Sequence, residues 1–243
     1  MTETFHAICA TVKNQSKRIA AEVAQARYTS LGVQEETLTD LVLNRIQFEH
    51  EEHFFTRKFT RKEEGNLSGA DWLWCIGEPG AWITFAVQAK ITNIQTNRIN
   101  YLHYKRGKQY SLLIDFCKQF GFIPKYSVYA NVNEDIQLFS QNIPQLRNLS
   151  LGHWAFTAIS PKYIKELSTP NEKHISNVLQ FSIPWSYILC TKQANTKKLA
   201  QAISDNLEDL YWPLENEHRR LKKQKPMQTY KRIVWDNPQY TVK

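Results

Sequence analysis

Apolar positions along this chain change period several times, and each change marks an element. Ile19, Val23 and Ala26 recur at helical spacing, and Leu38, Leu41, Val42 and Ile46 do so again after Gly32. Residues 14–50 therefore predict two helices broken near Ser30 to Gly32. Phe54, Phe55 and Phe59 among basic residues suit a strand, followed by a polar loop from Lys62 to Gly69. Two strand-like runs come next, Asp71 to Ile76 and Ala81 to Ile91, with Gly77-Glu78-Pro79-Gly80 between them. That composition is a turn signal, so the runs predict a hairpin. Leu112, Leu113, Phe116 and Phe120, with Leu102 upstream, predict a helix stopping at Gly121. Strands then follow from Pro124 to Asn131 and from Trp154 to Ile159, and residues 172–218 read as helical, with Pro184 to Leu189 packed on the body.

This order predicts an α/β fold, a mixed β-sheet flanked by helices, in one domain spanning residues 1–218 with a basic C-terminal arm at 219–243. Composition fits that reading: 42% of the 243 residues are apolar and 12% aromatic, enough for a sizeable core. No uncharged apolar run approaches the roughly 18 residues of a membrane helix, so no membrane association is expected. Met1 to His6 shows neither the basic region nor the apolar stretch of a secretory signal, and Cys9, Cys75, Cys117 and Cys190 stand far apart. The expectation is a reducing, cytoplasmic setting with no zinc knuckle and no redox pair. The 8 glycines form neither GxGxxG nor GxxxxGK[ST], which excludes the usual nucleotide-cradling enzymes.

Charge is unevenly placed. From Arg219 onward, eight basic residues face one acid, Asp236, so the arm holds seven of the eight net positive charges. Within the body, Arg57-Lys58, Arg61-Lys62 and Lys105-Arg106-Gly107-Lys108 form smaller basic clusters. A C-terminal basic run is commonly a solvated extension, so charge alone says little about nucleic acid.

Strand alternation from Ile83 to Lys90 places Ile83, Phe85, Val87 and Ala89 on one face and Thr84, Ala86, Gln88 and Lys90 on the other. One strand end thus offers an amide oxygen beside an ammonium, and the hairpin brings Asp71 to the same place. An acid, an amide oxygen and a lysine can together hold a divalent metal and a phosphate. The bland alternatives are a turn-capping acid and a strand-end lysine reaching solvent. Gln15-Ser16-Lys17 shows that QxK alone means nothing, and the strand-and-hairpin context carries the signal.

With Gly69-Ala70-Asp71, sixteen residues, then Gln88-Ala89-Lys90, the chain resembles the PD-(D/E)XK nuclease superfamily in its glutamine, Mrr-like branch, over about residues 32–130. The resemblance implies a restriction-endonuclease-like fold and an Mg²⁺-dependent endonuclease hydrolysing DNA phosphodiesters, with Mn²⁺ able to substitute. It implies that Asp71, Gln88 and the Ala89 carbonyl ligate the metal, and that Lys90 orients the attacking water and stabilises charge on the phosphate. The family's first-helix acid matches Glu36, with Glu35 and Asp40 as alternatives. Gln109, Lys105 and Lys108 are weaker candidates for substrate contact. Bacterial restriction or anti-phage defence is the implied setting. RNA as substrate stays open, as do a homodimer and a companion defence protein. The other function class is an inactive nucleic-acid- or partner-binding module on the same fold. His50 to His53 reads as a solvated helix end, and Trp72, Trp74 and Trp82 as sheet core.

Truncation before Arg219 is expected to weaken nucleic-acid binding and flatten its salt dependence while sparing turnover at saturating substrate. If three or four arm residues touch phosphate, the slope of log affinity against log salt should fall by roughly three units for duplex DNA. Salt-titrated binding of full-length and truncated protein measures this. An unchanged slope with lost thermal stability would assign the arm to structure.

Overall fold

A computed structural model describes residues 2–29, 31–99, 107–132, 149–167, 174–190 and 198–211, and the basic arm lies outside them. The elements run α1 (Thr2–Thr29), α2 (Glu35–Glu49), β1 (Phe54–Lys58), α3 (Arg61–Glu63), a π turn (Glu64–Ser68), β2 (Trp72–Glu78), β3 (Ala81–Asn93) and β4 (Arg98–Ile99). After these come α4 (Lys108–Phe120), β5 (Ile123–Tyr129), a 3-10 turn (Leu151–Ala155), β6 (Phe156–Ile159), α5 (Pro161–Glu166), α6 (Ile175–Leu179), β7 (Ser182–Pro184), α7 (Trp185–Leu189) and α8 (Leu199–Tyr211).

Seven strands form one mixed sheet in the order β1-β2-β3-β5-β6-β7, with β4 paired to β3 beyond β2. The predicted hairpin is present, with Trp72 opposite Val87 and Glu78 opposite Ala81. β3 and β5 run parallel, so the chain must cross over between them, and α4 is that crossover. Gly121 ends α4 at a φ of 70°, the left-handed value that favours glycine.

Odd-numbered residues of β3 face an aromatic core. Trp74 and Phe85 are opposite one another and both meet Trp185 edge to face, at 5.2 and 5.4 Å between ring centres. Tyr129 stacks on Phe156. Trp72, Trp74 and Trp185 are fully buried, as expected for sheet core, whereas Trp82 is only partly so and packs on Phe55. α2 joins this layer through a hydrogen bond between Thr39 and the Tyr129 hydroxyl, and α1 packs on both α2 and α7. The even-numbered face looks toward α4 and the π turn, which pack on each other.

Four expectations are corrected. The Lys62 to Gly69 loop is helical, opened by a capping box in which Thr60 and Glu63 satisfy each other's backbone donors. Residues 172–218 include the strand β7, too short to show a period of its own. Within the helix end read as solvated, Glu51 and Glu52 are exposed but His50 is buried and bonded to Thr11 at 2.9 Å, and burial lowers its pKa. Cys9 and Cys190 form a disulfide across 181 residues of sequence, since the packing of α1 on α7 brings their Cα atoms to 5.1 Å. Two of the four cysteines are therefore bridged, and spacing along the chain gave no sign of it.

Candidate active site

β2 begins at Trp72, one residue after Asp71, while β3 runs on past the last pair, Trp72 with Val87. Ala89 therefore has no β2 residue opposite it, and its N–H donates to Asp71 Oδ2 at 2.5 Å. The same carboxylate oxygen accepts from the Gln88 amide at 2.5 Å. The Asp71 backbone is pinned on both sides, its N–H donating to Val87 O at 2.8 Å and its carbonyl accepting from Phe59 N–H at 2.7 Å. Asp71 is thus set by the strand framework rather than by a flexible turn. Gln88 is 1% exposed and Lys90 7%, both on the even-numbered face, so each side chain keeps little contact with solvent.

Two further acids complete the cluster. Glu35, in the first turn of α2, lies close to the Ile91 backbone and feels the Lys90 charge. Glu64 opens the π turn, accepts a short hydrogen bond from Gln109 of α4, and lies 3.5 Å from the Gln88 amide. Gly69 closes that turn at a φ of 63°, with α4 so near that a Cβ would come 2.3 Å from the Gln109 carbonyl. Only glycine lets the turn seat there. Glu35, Glu36, Arg61, Glu64, Lys90 and Gln109 line part of a cleft of about 620 Å³. Asp71 and Gln88 are not on its wall and connect to it through Glu64 and Lys90.

Desolvation dominates the acids' behaviour. Asp71 and Glu35 keep some residue-level contact with solvent, but their carboxyl groups lie among protein atoms, and loss of hydration raises both pKa values. For Asp71 the rise is large. Lys90 pulls it back, Glu35 and Glu64 push it further up, and the Ala89 N–H again lowers it.

The predicted residues divide clearly. Asp71, Gln88, Ala89 and Lys90 come together. Glu36 is exposed and pairs with Arg61 at 3.0 Å on the cleft rim, and Asp40 pairs with Lys58 at 2.5 Å, so the helix acid beside Lys90 is Glu35. Gln109 reaches the site through Glu64. Lys108 is exposed at the start of α4, and Lys105 lies outside the described residues. The sequence reading missed Glu64, whose only signal was an acid shortly before Asp71 in a stretch taken for a loop.

Compared with known families, residues 8–240 match the Family of unknown function (DUF6615). The chain belongs to this family. The DUF6615 match spans every residue of the cluster and continues into the basic arm. No curated protein matches the chain.

Removing one charge should stabilise the metal-free protein. A carboxyl whose folded pKa is raised contributes stability that is fully present below its unfolded pKa of about 4 and is lost as pH rises through the folded value. Asp71→Asn, which keeps an oxygen for the Ala89 N–H, should therefore raise Tm at pH 7.5 in EDTA. The expected size is about 2–4 °C, equivalent to roughly 1 kcal/mol in a chain of this length, with little change near pH 4. Thermal melts at the two pH values measure it, and a lower Tm at pH 7.5 would contradict the reading.

Proposed function

We propose that the protein is a metal-dependent endonuclease that hydrolyses DNA phosphodiester bonds, a PD-(D/E)XK enzyme of the glutamine kind. The observation that carries this reading is the convergence of Asp71, Gln88 and Lys90 where β3 outruns β2, with one Asp71 oxygen 2.5 Å from both the Gln88 amide and the Ala89 N–H. A buried ammonium beside clustered acids has little structural value of its own, since each charge must give up hydration.

The residues suit a hard divalent cation, Mg²⁺ with Mn²⁺ as substitute. All the donors are oxygens, and Gln88 Oε1 is buried without a partner, an acceptor waiting for a positive group. Asp71, Gln88, the Ala89 carbonyl and Glu35 would hold it. A bound cation supplies polarisation of the phosphoryl oxygen and a more acidic water. Lys90 then places its ammonium against the scissile phosphate and opposes the negative charge that grows on the non-bridging oxygens. Its burial strengthens that interaction, because little water intervenes. The cleft lined by Arg61, Lys90 and the helix acids gives the backbone a path to the cluster. The family resemblance implies 5′-phosphate and 3′-hydroxyl ends.

We further propose a cytoplasmic enzyme of bacterial defence, working as a homodimer or with a companion protein, and RNA stays open as a substrate. None of the helices among the described residues is long and apolar enough to cross a membrane. One observation favours the second reading, a binding-only module. Among the described residues no three His, Cys, Asp or Glu side chains are gathered as a ready metal cage.

Plasmid cleavage with Mg²⁺ or Mn²⁺, and its absence in EDTA, tests the proposal. Asp71→Ala and Lys90→Ala should each lower cleavage by about 10³-fold or more while circular dichroism and melting show a folded protein. Unchanged cleavage in either folded variant would remove that residue from the mechanism. No cleavage of DNA or RNA by the wild type under any metal would favour the binding module.

A further inference from the structure

A glutamine at position 88 leaves the site one negative charge short of a two-acid metal centre, and hard divalent cations bind through carboxylates. The missing charge has a source close by. The π turn is fixed against α4 by the close approach at Gly69, and Gln109 holds Glu64 Oε1 in place. The Gln88 amide nitrogen contacts Asp71 Oδ2 at 2.5 Å and Glu64 Oε1 at 3.5 Å, so the amide sits between the two carboxylates. Gln88 is 99% buried on its 1% exposure, and its Oε1 has no hydrogen-bond partner. Leaving such an acceptor unmet carries a desolvation cost that a positive partner would remove. The two ends of an amide have nearly the same shape, and a half-turn exchanges them. With the nitrogen inward the amide bridges two anions. With the oxygen inward it would face two anions, which is tolerable only with a cation among them.

We propose that Glu64 is a carboxylate ligand of the catalytic cation, supplying the charge that glutamine at 88 withholds, and that the Gln88 amide turns its oxygen inward when the cation binds. This rests on the metal-dependent reading above. It also accounts for glutamine itself. Asp71, Glu35 and Glu64 are already three acids within electrostatic reach of one another. A glutamate at 88 would add a fourth and would lose the N–H₂ group that ties Asp71 to Glu64 in the metal-free protein. On this view Gln88 is a two-state clamp: donor when empty, ligand when filled.

Mn²⁺ affinity of the full chain, measured without nucleic acid by calorimetry or electron paramagnetic resonance, tests this apart from activity. Glu64→Gln should weaken Mn²⁺ binding about tenfold or more, and Glu64→Gln with Gln88→Glu, which restores the charge count, should recover most of it. Should Glu64→Gln fail to fold, Glu64→Asp keeps the charge one methylene short and should also bind more weakly. Wild-type affinity in a folded Glu64→Gln variant, with binding lost in Asp71→Asn, would overturn the role of Glu64 and leave the metal site standing. No Mn²⁺ binding by the wild type would overturn both.

Discussion

One carboxylate oxygen, Asp71 Oδ2, takes the place of the next strand residue where the hairpin ends. β3 loses its β2 partner after Val87, and a bare Ala89 N–H at that point would be an unmet backbone donor. Asp71 fills it, and in doing so brings the Gln88 amide and the negative charge to one point. Every other part of the site is arranged around that substitution. Lys90 follows two residues later on the same face, α2 arrives with Glu35 near the Lys90 charge, and the π turn delivers Glu64 over α4.

The cluster is held against its own preference. Carboxyl groups drawn in among protein atoms lose hydration, and the raised pKa values of Asp71 and Glu35 express chiefly that loss, which the Lys90 charge only partly offsets. The aromatic layer on the opposite face can carry the load. Trp72, Trp74, Trp185, Phe85 and Phe156 form a dense apolar body behind the same strands that present the charges. Strained chemistry on one face of β3 and rigid packing on the other are two consequences of one period-2 pattern.

Much of this was legible in the sequence because the signals were local. The Gly77 to Gly80 turn set the hairpin, and alternation from Ile83 to Lys90 separated the core face from the chemical face, placing Asp71, Gln88 and Lys90 together. What escaped depended on rotation or distance. Glu35 and Glu36 differ by about 100° around a helix, and only the docking of α2 decides which one meets Lys90. Glu64 lay in a polar stretch whose π turn exists because Gly69 can approach α4. The Cys9–Cys190 bridge joins helices 181 residues apart, and no spacing rule reaches that far.

Asp71 and Gln88 must surround a cation for the cluster to act as a metal-dependent site. A crystal grown with Mn²⁺ and measured at the manganese edge tests this most directly. The expected result is an anomalous peak bounded by the Asp71 carboxylate, the Ala89 carbonyl and the Gln88 amide, with the amide oxygen facing the peak. A protein saturated with Mn²⁺ that shows no peak there, and a Gln88 nitrogen still bonded to Asp71, would contradict it.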